Sequence, residues 1–148
     1  MTPINVMHQA APERVVLRVA ARTTAAALAT NVSVFAIARV AGVSFQFPQP
    51  GSAGGTETVS AAAVLAVTLF TMTVGWIVVG VAAWRHRPTL RMIAILGGVI
   101  AAVSALAPLA LEANLPAGLT LAGLHVVVGA FFISGITRLG GVATSAIR

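Results

Sequence analysis

Residues 58–91 read TVSAAAVLAVTLFTMTVGWIVVGVAAWRHRPTLR, and this stretch decides the fold. From Thr58 to Trp84 it carries no charge; Arg85-His86-Arg87-Pro88 then interrupts it, and a second apolar run starts at Leu90. About 20 apolar residues in a helix span the ~30 Å hydrocarbon core of a bilayer. The run 58–84 exceeds that length and can tilt or protrude. The basic, proline-bearing segment predicts a tight turn between two membrane helices, with Trp84 at the interface.

Working outward, two further apolar runs have the same character. The spans are read as 23–43, 58–84, 90–111 and 117–137, after a tail at 1–14. The segment 44–56 holds Pro48, Pro50, Gly51, Gly54 and Gly55, which end a helix and predict a non-helical loop. Asn114-Leu115-Pro116 makes the remaining short turn. Short connections favour antiparallel neighbours, so residues 1–148 are expected to form one domain: an all-α, four-transmembrane-helix bundle running up-down-up-down. Hydrophobic residues make up 58% of the chain and charged residues 8%. A soluble domain needs about a quarter of its residues charged, so the lipid bilayer is the expected surrounding.

The charge pattern orients the bundle. All nine cationic residues are arginine, and Arg14, Arg18, Arg22, Arg85, Arg87, Arg91, Arg138 and Arg148 fall at one end of the spans. Arginine excess marks the cytoplasmic side, which predicts that both termini are cytoplasmic. The net charge of +6 is dispersed along membrane boundaries rather than gathered into a stripe, so nucleic acid is not expected as a partner. Arg39 alone falls at the opposite end. A cleavable signal peptide ending near Ala36-Ile37-Ala38 is a competing reading, disfavoured because the apolar segment is as long as a full span.

The inventory for chemistry is short. There is no cysteine, which removes thiolate nucleophiles, disulfides and cysteine-based metal sites. The only carboxylates are Glu13, Glu57 and Glu112. No phosphate-binding loop, paired-histidine zinc motif or serine–histidine–acid set appears. Enzymatic activity, a metal site and a cofactor are therefore not expected.

In lipid, packing faces are marked by small residues that let backbones approach closely. Such stripes run through all four spans, with Ala94, Gly98, Ala101 and Ala105 the cleanest, and they are candidate contacts for another membrane protein or a second copy. Asn31, Thr68, Glu112 and His125 lie on these faces, with Glu112 at the outer mouth. At 1.5 Å per residue, His125 lies about 10 Å, Thr68 about 15 Å and Asn31 about 18 Å from the end bearing Arg39. Together with Arg39 they predict a polar cleft open to the outside. Intramembrane ionisable groups default to a functional reading, and His125 is the only histidine inside a span. The structural alternative bonds His125 to Glu112, Asn31 or Ser104 to hold helices together. Arg39 has Glu112 and Glu57 as possible ion-pair partners, and Pro108 is expected to kink the third span. Phe45 and Phe47 are read as dipping into the membrane or marking a partner surface.

The run 104–109 (SALAPL), then Glu112, then Leu124-His125-Val126-Val127-Val128-Gly129, resembles a family of uncharacterised four-helix membrane proteins from actinobacteria. The resemblance implies a multi-pass protein of the bacterial plasma membrane. It also implies Glu112 and His125 as the family's recurring polar features, and carries no activity. An accessory or interaction subunit of a membrane assembly is the leading expectation for function. The alternative binds a lipid or quinone, or moves protons or a solute, through a cleft around His125 and Glu112. Small multidrug-type exporters are similar in size and span number, but their carboxylate lies deep in the first span, where this chain has Asn31.

Overall fold

The computed structural model describes residues 4–48, 55–85, 88–110 and 114–145. Among these residues there are four helices: α1 (Ile4–Val40), α2 (Ala61–Arg85), α3 (Pro88–Ala110) and α4 (Leu115–Ser145). Each contains a window long and apolar enough to cross a membrane, at 14–40, 61–82, 90–110 and 115–140. The helices pack into a bundle in which α1 lies against both α2 and α4, and α3 lies along α4. Helices α2 and α3 touch far less, although only two residues separate them in sequence.

Helix α1 departs from the expected span at both ends. It extends back to Ile4, through the segment read as a tail. The run Glu13–Arg22 has no glycine or proline and carries three arginines and two alanines, good helix formers that continue the helix past the limit of hydrophobicity. At its other end α1 stops at Val40 rather than Val43, because Gly42 adopts a left-handed conformation with φ +85°. The Gly42 amide donates to Arg39 O at 3.0 Å and the Val43 amide to Ala38 O at 3.0 Å. This paired closure satisfies two of the helix's terminal carbonyls, and glycine adopts the required φ without a Cβ penalty.

The loop between α1 and α2 contains a small hairpin that the all-α reading did not include. Strands β1 (Gln46–Pro48) and β2 (Thr56–Thr58) pair antiparallel, with Phe47 opposite Glu57. The Val59 amide donates to Phe45 O at 2.9 Å and extends the pairing by one bond. Side chains two apart on a strand share a face. Phe45 and Phe47 therefore turn the same way, onto Phe35, Val64, Ala117 and Leu124. Phe45 is fully buried, and its ring centroid lies 4.6 Å from that of Phe35. Rather than dipping into lipid, both phenylalanines plug one end of the bundle.

Side-chain caps fix this hairpin end. Asn114 precedes α4; its Oδ1 accepts from the Ala117 amide at 3.0 Å, while its Nδ2 donates to Ser44 O at 2.7 Å. One residue thus caps α4 and ties its start to the hairpin. Ser60 caps α2 through a bond from the Ala63 amide at 3.1 Å. A second apolar cluster, Ala27, Met72, Trp76, Val79, Ile136 and Leu139, fills the end nearer the termini. Pro108 is buried inside α3, where a Cβ on Gly118 of α4 would lie 3.2 Å from its carbonyl oxygen.

Candidate ligand cavity between α2 and α3

A cavity of about 440 Å³ lies between the two apolar clusters, bounded by α2, α3 and α4 with Asn31 of α1 at its back. Its volume falls within the range of small-molecule sites. Along α2 it runs from Ala63 to Val78, which at helical rise is about 22 Å. Val67, Val74 and Val78 on α2, and Leu96 and Ile100 on α3, line it and are also strongly exposed. These five side chains form lips, so the slot opens sideways, toward acyl chains in a bilayer. The expected mouth lay at the outer surface instead; Phe45 and Phe47 fill that end.

Polarity changes along the slot. The half toward the hairpin holds Asn31, Thr68, Ser104 and His125 among Val59, Val64, Val67, Leu121 and Leu124, with Thr71 near the middle; the other half is walled by Val74, Gly75, Val78, Ile93, Leu96, Gly97 and Phe132. Asn31 and Thr68 are buried, and Asn31 Nδ2 donates to Thr68 Oγ1 at 2.9 Å. This bond joins α1 to α2 across the bundle interior, where an unpaired amide is costly. Asn31 Oδ1 has no hydrogen-bond partner.

His125 is half-buried in the same wall, and its Nδ1 lies 2.8 Å from Leu121 O, one turn earlier in α4. A carbonyl only accepts, so the proton of the neutral ring sits on Nδ1 and Nε2 keeps a lone pair. His125 Nδ1 is therefore held by its own helix rather than by Asn31 or Ser104; Glu112, the third partner of the structural alternative, lies outside the described residues. Ser104 Oγ likewise donates to Ala101 O at 3.1 Å, leaving its lone pairs available.

Of the residues expected to make a cleft, Asn31, Thr68 and His125 line one cavity. Arg39 does not. It is exposed in the last turn of α1, where a cation complements the helix dipole. Glu57 is exposed on β2, and Glu112 lies outside the described residues.

Two features went unread in the sequence. The Phe132 ring sits between Gly75 of α2 and Gly97 of α3, where added Cβ atoms would come within 2.7 Å and 2.8 Å of it. It is the wedge that keeps α2 from α3. The signal in the sequence is Gly97, beside Gly98 on the third span. The second is Trp76, buried, with its indole edge-on to Phe132 at 5.6 Å and its Nε1 unpartnered.

No curated protein and no solved structure matches the chain. A family model does match, over residues 10–141, which include every membrane-length window. The chain is a member of the family of unknown function DUF6069.

Proposed function

We propose that this multi-pass membrane protein binds a single-chain amphiphilic lipid, polar end toward the hairpin and chain between α2 and α3. The observation that carries the reading is an apolar, laterally open slot whose few hydrogen-bonding groups, Asn31, Thr68, Ser104 and His125, gather in its hairpin half. A lateral opening lets a lipid enter without leaving the bilayer, so its chain need not cross water. The arginine distribution supports placing both termini in the cytoplasm of a bacterial plasma membrane. The hairpin then faces outward and the polar half of the slot lies in the outer leaflet. The lysine-free composition, rich in alanine, valine and arginine, fits an actinobacterial source.

An accessory subunit would draw on small-residue faces for its contacts. Gly75, Gly97, Gly129 and Gly135 meet side chains of this same chain, whereas Gly80 and Gly123 face open space.

The test is lipid retention. Protein purified in mild detergent is examined by native mass spectrometry, comparing Leu96→Trp, which fills the slot from its lip, with Val103→Trp on the exposed face of α3 outside it. The expected result is a co-purified lipid lost from Leu96→Trp and kept by Val103→Trp. Equal retention by both variants overturns the proposal.

A further inference from the structure

We infer that the slot selects a lipid whose head is an un-ionised hydroxyl; this rests on the amphiphile reading above and adds the chemistry of the head. Most of the groups around the polar half that a ligand can meet are acceptors. His125 Nε2 keeps its lone pair because Nδ1–H is committed to Leu121 O at 2.8 Å. Ser104 offers lone pairs because its proton is committed to Ala101 O at 3.1 Å. Asn31, 1% exposed, directs one Nδ2 hydrogen to Thr68 and holds an unpartnered Oδ1. The threonine hydroxyls rotate and can donate or accept.

Three head chemistries meet this set differently. A hydroxyl donates to one of these acceptors and can accept from the Thr68 hydroxyl. An ester or quinone carbonyl only accepts, so the histidine and asparagine lone pairs stay unpaired, at the cost of leaving buried polar atoms unmatched. A carboxylate or phosphate fares worst. Among the described residues no arginine lines the slot, and a buried anion without a counter-charge is strongly disfavoured.

The readout uses Trp76, which packs on the Phe132 wedge at the apolar end of the slot. With Trp84→Phe, Trp76 is the only tryptophan left, since the chain has two. Bromine on a bound chain quenches it. Dibromo-octadecanol, methyl dibromo-octadecanoate and dibromo-octadecanoate are titrated into the full chain in detergent, in alkaline buffer that keeps the acid ionised. The alcohol is expected to half-quench at a concentration about tenfold below the methyl ester, the loss of one buried hydrogen bond, and the anion to bind weakest. His125→Phe should erase the alcohol's advantage and leave the ester unchanged; Ser104→Ala, a milder change, should reduce it. Of an isoprenoid quinol and a monoacylglycerol, the one that displaces the bromo-alcohol names the source of the hydroxyl. Equal quenching by alcohol and ester, tightest binding of the anion, or displacement by neither competitor overturns the inference while leaving the slot as a lipid site. Absence of saturable quenching by all three overturns the slot as well.

Discussion

Helix α3 has a closed side and an open side, and the contrast between its two seams explains the molecule. Against α4 the closure is atomic: a Cβ added to Gly129 would lie 2.5 Å from Ala101 Cβ, and one added to Gly98 would lie 3.2 Å from Ile133 Cδ1. Against α2 the facing positions carry Val74, Val78, Leu96 and Ile100, with the Phe132 ring inserted between Gly75 and Gly97. Lipid tails are as apolar as leucine, so no hydrophobic force draws two membrane helices together. A seam closes only where small residues on both sides let backbones meet. Glycine by itself does not close one, because here two glycines grip an aromatic that holds their helices apart.

The largest effect should come from breaking the closed seam. Gly129→Val places a branched side chain against Ala101 and is expected to cost about 3 kcal/mol, read as earlier loss of helicity in a sodium dodecyl sulfate titration. Next is Phe132→Ala, which removes the wedge. It should cost about 2 kcal/mol, less than a fully buried phenylalanine. The more specific outcome is a shorter distance between spin labels at Val74 and Leu96, and an unchanged distance would show that the ring is not what separates α2 from α3.

Smaller still is the polar tie behind the slot. Thr68→Val strands Asn31 Nδ2 and should cost about 1 kcal/mol. Adding Asn31→Leu to it should restore most of that loss, since replacing both partners of a buried bond can be nearly neutral. Gly123→Ala marks the low end, within about 0.5 kcal/mol, because a Cβ there meets nothing within 4 Å.

The four helices were legible because hydrophobic length is a property of the chain alone. So was the shared side of Asn31, Thr68 and His125, which follows from helical spacing on small-residue faces. The hairpin was not: three-residue strands in a proline- and glycine-rich loop leave little pattern, and only the alternation of Phe45 and Phe47 hinted at an inward face. The direction in which the slot opens was hidden for a different reason. It depends on which glycine meets which side chain across helices, and Phe132 reaches Gly75 and Gly97 from a third helix. His125 illustrates the same limit. Depth and facing came from counting, but its bond to Leu121 depends on the rotamer.

The most direct test of the open seam is to map where a lipid chain touches the protein. An octadecyl alcohol carrying a diazirine in its chain is photolysed with the protein in bilayers, and the labelled residues are located by mass spectrometry. The account predicts labels concentrated on the slot, at residues such as Thr71, Gly97, Ile100 and Gly129. Labels spread over Val103, Leu106 and Leu119 in proportion to their exposure, with none enriched between α2 and α3, would contradict it.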